Sequence, residues 1–342
     1  TDKPWLGQYR ANLPAEIDMN EFNSVPDVIN KSCDTYRDDV AYMNFGAELT
    51  YDEVDRLSAA FGAQLQSMGM QKGDRIAIMM PNVLQYPIAV FGALRAGFVV
   101  VNTNPLYTAR ELKHQLKDSG AKAILIMENF ASVLEAVVDD TDVEHVILTS
   151  MGDMMSPLKG MIMNFVLKRV KKMVPAYSLP GALQFKSVLS QGQSKTLDEP
   201  ALTHDDLAFL QYTGGTTGVS KGAMLSHGNM VANMQQSSAW LGELASPGKE
   251  TIITALPLYH IFALTANCLV FLKLGGRNVL ITNPRDMPGF VKELSKVEFT
   301  AITGVNTLFN GLLNTPGFAE LALSSLRLTL GGGMAVQRAV AE

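Results

Sequence analysis

Cysteine is nearly absent: the 342 residues hold two, Cys33 and Cys268, far apart and in no paired motif. That excludes a disulfide framework and a thiolate zinc site, and it suits a reducing cytoplasm. Two ordinary semi-buried thiols are expected. No apolar run reaches the ~18–20 residues needed to span a bilayer. The opening stretch Thr1–Arg10 is polar with one Trp, unlike a secretory leader. Strong charge is also missing. A formal net charge of −5 argues against a dedicated nucleic-acid binder, whose surface neutralises phosphates with Lys and Arg. No repeat of short fixed period occurs, which sets aside a solenoid. An initiating Met is lacking too. Met334–Glu342 reads as the first turns of a helix, apolar at Val336 and Val340, with no stop signal after it. Both ends are therefore expected to be cut.

What is present is apolar residue, 47% of the chain against 18% charged, enough for a large core in two lobes. From Gly73 onward, short apolar runs alternate with segments of helical spacing. Strands are predicted at Arg75–Met80, Phe98–Val101, Ala121–Met127 and His145–Leu148. Helices are predicted at Leu84–Arg95, Thr108–Asp118 and Phe130–Val138, the second opening on a Thr108/Glu111 capping box. A second series starts at Leu207, with strands at Leu207–Tyr212, Gly222–Leu225, Thr251–Ala255, Arg277–Ile281, Phe299–Ile302 and Leu326–Leu330. Its helices follow His227 and span Ile261–Leu274, Met287–Ser295 and Thr307–Asn314. Such alternation means βαβ units. The expected fold class is α/β: two tandem lobes, about 73–206 and 207–342, with largely parallel sheets flanked by helices. Residues 1–72 would pack on them, and 151–193 would be an insertion.

Within that insertion Leu158–Val174 has helical spacing. Ile162, Val166, Val170 and Met173 fall on one face, while Lys168, Arg169, Lys171 and Lys172 lie off it. Such a helix can lie on an anionic membrane surface, or pack its apolar face on the protein and leave the lysines solvated.

The segment that carries chemistry is Tyr212-Thr-Gly-Gly-Thr-Thr-Gly-Val-Ser-Lys-Gly222. Gly214, Gly215 and Gly218 permit positive φ and close approach of a ligand. Thr213, Thr216, Thr217 and Lys221 supply donors, and successive backbone N–H groups in such a turn form an anion nest. A triphosphate is the natural guest. The Walker spacing fails: Lys221 is followed by Gly222, and a strand, not a helix, comes next.

This loop resembles the phosphate loop of the adenylate-forming enzymes: acyl-CoA synthetases, firefly-type luciferases and peptide-synthetase adenylation domains. Ser220 stands where the family usually has Pro. Leu256-Pro-Leu-Tyr-His-Ile-Phe262, Ala301-Ile-Thr-Gly-Val-Asn-Thr307 and Gly331-Gly-Gly-Met334 resemble three further family motifs, so the likeness covers essentially the whole chain. Pro81-Asn-Val-Leu-Gln-Tyr86, Val101-Asn-Thr-Asn-Pro-Leu-Tyr107 and Ile281-Thr-Asn-Pro-Arg-Asp286 are similar to bacterial long-chain fatty acyl-CoA synthetases in particular.

The resemblance implies roles. Tyr212, Thr213, Gly214, Gly215, Thr216, Thr217, Gly218, Val219, Ser220, Lys221 and Gly222 would hold the ATP phosphates, with the Thr213 hydroxyl near Mg²⁺. Gly331, Gly332 and Gly333 would lie against adenine. His260 would orient the carboxylate and act with Lys221 and Thr216 in catalysis, although His260 alone could equally be a helix cap. Thr303, Gly304, Val305 and Asn306 would line the acyl pocket. Leu264 stands where some relatives carry a gating Trp.

The implied activity is ATP-dependent conversion of a long-chain fatty acid to acyl-AMP and then acyl-CoA, an acid–thiol ligase reaction. ATP and Mg²⁺ are needed, and coenzyme A is the co-substrate. Alternatives are another acyl- or aryl-acid ligase, or a nucleotide- or acyl-binding fragment without catalysis. The implied setting is the cytoplasm, with contact to the inner-membrane surface and a homodimer left open. The family pattern continues past Glu342, with a Mg²⁺-binding Glu motif, a ribose-binding Asp, a hinge and a mobile C-terminal domain. This chain alone is therefore expected to be inactive and its full-length parent competent.

Overall fold

The computed structural model describes residues 3–213 and 219–341. Its strands are β1 (Val40–Asn44), β2 (Ala47–Thr50), β3 (Arg75–Met79), β4 (Val99–Asn102), β5 (Ala121–Met127), β6 (His145–Thr149) and β7 (Leu183–Gln184). They continue as β8 (Leu207–Thr213), β9 (Lys221–Ser226), β10 (Thr251–Thr254), β11 (Arg277–Leu280), β12 (Ala301–Gly304) and β13 (Leu328–Gly331). One sheet runs β7-β6-β5-β3-β4-β8-β9 and the other β13-β12-β10-β11-β1-β2. Every neighbouring pair is parallel except β8–β9 and β1–β2.

The central strands are apolar runs because helices cover both faces. Ile76–Met79 on β3 and Ala123–Ile126 on β5 are fully buried. Helix Gln85–Arg95 is buried at every position, as expected of a helix that is apolar all round. It crosses helix Tyr51–Ser67 at glycines: a Cβ on Gly92 would stand 2.4 Å from the Ser58 carbonyl oxygen. The Thr108/Glu111 capping box forms, with the Thr108 N–H donating to Glu111 Oε2 at 2.8 Å.

The two sheets are not colinear with the two expected intervals. β8 and β9, which open the second interval, close the edge of the first sheet beside β4. The hairpin β1–β2 lies in the stretch expected only to pack on the lobes, yet it extends the second sheet beside β11. Periodicity marks a segment as a strand, but edge pairing is decided by distant partners. The stretch 151–193 is likewise no simple excursion, since β7 adds to the first sheet and Phe185, Val188 and Leu189 enter its core.

Helix geometry differs from expectation at three places. The 130–138 segment forms a helix only over Ala131–Glu135, with single tight turns on either side. The 261–274 helix forms, but Leu264–Leu269 widens to π-helical bonding. This turn carries Asn267, whose Nδ2 donates to Thr254 Oγ1 at 3.0 Å and whose Oδ1 accepts from the Thr303 hydroxyl at 2.9 Å. The third is Pro157–Phe165, which continues through a π turn to Val170 and stops where Lys172 takes φ 51°.

Candidate functional site

The loop after β8 starts and ends on an antiparallel ladder, with Tyr212 opposite Gly222 and Thr213 opposite Lys221. The expected phosphate ligands Gly214, Gly215, Thr216, Thr217 and Gly218 lie outside the described residues. The loop's base is well tied. The Ser220 hydroxyl donates to the Thr213 carbonyl at 2.8 Å, so Ser220 closes the loop where a Pro could not donate. The Ser220 carbonyl lies 2.9 Å from His114 Nε2. The Tyr212 hydroxyl donates to Asp118 at 2.6 Å. Burial and that carboxylate push the Tyr212 phenol well above its ordinary range.

A buried relay joins this loop to the 256–262 turn. Asn102 donates to Gln211 Oε1 at 3.2 Å, and Gln211 Nε2 donates to the Tyr259 carbonyl at 2.9 Å. Asn82 holds the same turn from the other side. Its Nδ2 donates to the Thr254 and Leu256 carbonyls, both at 2.9 Å, and its Oδ1 accepts from the Leu258 N–H at 2.8 Å. The Tyr86 hydroxyl lies within reach of both Asn102 Oδ1 (2.7 Å) and the Leu258 carbonyl (2.8 Å). Asn82, Tyr86 and Asn102 belong to motifs visible in the sequence, but their clamping role is visible only in three dimensions.

His260 is exposed and caps helix Ile261–Ala263, accepting from the Phe262 N–H through Nδ1 at 3.4 Å. The cap needs an unprotonated Nδ1, so the neutral ring carries its proton on Nε2. Among the described residues nothing bonds that Nε2. Capping and a substrate contact are thus compatible: one nitrogen fixes the ring and the other is free to donate.

Phe262 links His260 to the glycine turn. β12 and β13 run parallel so that Gly304 is opposite Gly331. The Gly332 N–H donates to the Gly304 carbonyl at 3.2 Å. A Cβ on Gly332 would stand 2.7 Å from the Phe262 ring, so any side chain there would push the ring aside. Asn306 accepts from the Gln337 N–H at 2.8 Å and so fastens the segment after the turn. The structure therefore brings His260, Phe262, Gly304–Asn306 and Gly331–Gly333 to the carboxyl ends of adjacent strands, where parallel α/β sheets place ligands.

Beneath that edge lies a cavity of about 620 Å³. Ala266 and Val270 of the 261–273 helix, Thr303, Leu328, Leu330 and Trp240 line it, and the chain's beginning, Tyr9 and Leu13–Ile17, closes it. Tyr9 meets Trp240 edge to face, ring centres 5.5 Å apart. Leu264 is fully buried in the core and is not among the lining residues. The wall facing the cavity is formed a half-turn later, by Ala266. Nothing in the sequence marked 9–17 as part of this site, because that stretch has neither helical nor strand periodicity.

Comparison with known proteins gives a consistent result. Residues 29–342 match the family described as AMP-binding enzyme. The chain is 58% identical over 341 residues to the long-chain-fatty-acid–CoA ligase of Escherichia coli O6:H1, covering 99% of this chain and 61% of that protein. The chain thus spans about three fifths of the length of such relatives. Among solved structures, the anthranilate CoA ligase in complex with anthranoyl-AMP superposes with TM-score 0.80 at 18% identity, covering 95% of this chain and 58% of that one. A long-chain-fatty-acid-CoA ligase from Archaeoglobus fulgidus gives 0.75 at 20% identity over 97% of this chain and 62% of that one. With the match running over most of its length, this chain belongs to the AMP-binding enzyme family.

Proposed function

We propose that the protein activates a long-chain fatty acid with ATP, forming an acyl-adenylate that is passed to coenzyme A. The observation that supports this most is one continuous geometry. The base of a Gly/Thr-rich loop is wired through Gln211 and Tyr259 to the His260 turn. Through Phe262 that turn meets Gly332 after β13, and the neighbouring strand β12 places Thr303 in the wall of an apolar cavity. The high identity to long-chain-fatty-acid–CoA ligases supports the choice of acid.

In this reading the carboxylate oxygen attacks the α-phosphorus, pyrophosphate leaves, and a thiol later attacks the carbonyl carbon and expels AMP. Each step is a displacement, so the protein's part is positioning and charge neutralisation. The loop from Thr213 to Lys221 would cradle the departing phosphates. His260 Nε2–H would hold one carboxylate oxygen while Nδ1 stays in its cap. Gly331–Gly333 would present flat backbone to adenine.

Magnesium would neutralise the phosphates. Among the described residues no cluster of His, Cys, Asp or Glu could hold a metal unaided. The ion often takes one or two protein donors plus substrate phosphates and waters. Thr213 suits that: it is exposed, and Ser220 engages its carbonyl, not its hydroxyl.

The test is pyrophosphate release by the intact protein, with ATP and acids of eight to eighteen carbons or an aryl acid. Release is expected with the long chains and should fall by about a hundredfold or more in Thr216→Ala/Thr217→Ala, as for loss of transition-state charge stabilisation. Preference for the aryl acid would overturn the substrate assignment. Transfer of the γ-phosphate would overturn the reaction class.

A further inference from the structure

Helix Pro157–Phe165 and the π turn that extends it to Val170 attach to the protein by their polar, narrow side. Gly160 abuts Gly152 so closely that a Cβ on either would stand 2.4 Å or less from the other's carbonyl oxygen. The Gly152 N–H donates to Asn164 Oδ1 at 2.8 Å. Asn129 Nδ2 donates to the Met173 carbonyl at 2.9 Å and pins the far end. Gly160 and Asn164 are one turn apart, so they share a face.

Met163, Val166 and Leu167 are half-buried, but most of the large apolar side chains are left outside. Leu158, Met161, Ile162, Phe165, Val170 and Met173 are each between 52% and 65% exposed. They are six of the sixteen exposed large hydrophobics among the described residues, gathered into one short segment. A helix packing its apolar face on the protein would show the reverse. Around this face stand Lys159, Lys168, Arg169, Lys171 and Lys172, all exposed, with no acidic residue between 157 and 173 in a chain whose net charge is −5. Lys168 approaches Glu128 at 3.7 Å, and among the described residues the other four form no ion pair. The segment closes at Lys172 in the left-handed region, where glycine would cost less. A lysine there keeps positive charge at the end of the apolar face.

From this arrangement we infer that residues 157–173 form a docking helix for an anionic phospholipid surface. Phe165, Ile162 and Met161 enter the acyl boundary, and the lysines and arginine meet headgroup phosphates. Neither contribution suffices alone: a small apolar face gives weak partition, and each basic residue near an anionic leaflet adds roughly a five-fold factor. The helix leaves the carboxyl end of β6, and the phosphate loop leaves the carboxyl end of β8, in the same parallel register. Docking therefore turns the site-bearing end of the first sheet toward the lipid. The inference rests on burial and charge, and stands whichever acid the site activates.

Flotation of the intact protein with vesicles of phosphatidylcholine, alone or mixed with phosphatidylglycerol, tests it. The protein should float with the anionic vesicles and much less with the neutral ones, and raised salt should release it. Lys168→Gln/Arg169→Gln/Lys171→Gln/Lys172→Gln should lower anionic binding by at least about tenfold. Ile162→Gln/Phe165→Gln should lower it comparably. The quadruple variant changes only exposed side chains, so it carries the test if the apolar variant folds poorly. Pyrophosphate release with a detergent-dispersed acid should be unchanged in both. No flotation, or flotation indifferent to both variants, overturns the inference. So does a dimer that Phe165→Gln disperses without any lipid binding, which would give this face to a second copy.

Discussion

His227 shows how one buried side chain couples the fold to pH. It opens helix His227–Leu241, and its Nδ1 accepts from the Val25 N–H at 3.2 Å, tying helix Val25–Thr35 to the loop-bearing hairpin. Burial pulls its pKa from 6.5 down to about 4. The folded state therefore keeps it neutral while the unfolded chain takes up a proton below 6.5. Stability contributed by the neutral ring is complete above pH 6.5, falls between 6.5 and about 4, and changes no further below that. The loss is on the order of 3 kcal/mol. Urea unfolding at a series of pH values should show this slope, and His227→Gln should flatten it. An equal slope in the variant would remove His227 as the cause.

Asn82 belongs to the same scale. It is almost fully buried and spends every side-chain hydrogen bond on the 254–258 backbone. Asn82→Ala leaves the Leu256 carbonyl and the Leu258 N–H without that partner, at a cost of about 3 kcal/mol. It should also lower kcat/KM for pyrophosphate release, because His260 stands on the loosened turn. A variant stable and fully active would mean that the turn holds itself. The cysteines behave as their scarcity suggested. Both are buried, and burial pushes each thiol up to about 12, which disfavours the reactive thiolate.

At the scale of elements, much was legible because local signals were strong. Ala121–Met127 forms a strand over the expected span, and Thr108 caps its helix through Glu111. The hairpin β1–β2 was missed: Val40–Asn44 and Ala47–Thr50 are short, and their pairing with β11 is non-local. The π turn at Leu264–Leu269 was also hidden, since an unbroken apolar run gives no sign of the buried Asn267 network that widens it. Of the candidate site, the motifs were readable one by one. The wiring through Gln211, Asn82 and Tyr86, and the closure of the cavity by residues 9–17, depend on chain crossings that periodicity does not encode. Glycine at a helix crossing is a related case. Gly92→Val would force its branched side chain into the Ser58 carbonyl, so unfolding in urea should show a loss of at least about 3 kcal/mol. A loss under about 1 kcal/mol would mean that the two helices can separate at no consequence.

On the scale of the whole molecule, the interleaving of the sheets matters most. Because β8–β9 close the first sheet and β1–β2 the second, each sheet draws on both halves of the chain. The loop after β8 and the edge formed by β12 and β13 are thereby joined through the hydrogen-bonded 254–262 segment rather than by a flexible linker. Such a frame suits a reaction in which a phosphate site and an acyl site must be held in fixed relation. It also sets the most direct test. The intact protein is given ATP, coenzyme A and a long-chain fatty acid labelled with ¹⁸O in its carboxyl group, and the AMP and phosphate products are analysed by mass. Attack of the carboxylate on the α-phosphorus leaves one labelled oxygen on AMP once the thiol has taken the acyl group. Label in AMP, and none in phosphate or pyrophosphate, is the predicted result. ADP as the nucleotide product, unlabelled, with label in inorganic phosphate would mean an acyl-phosphate route and contradict adenylation at this site.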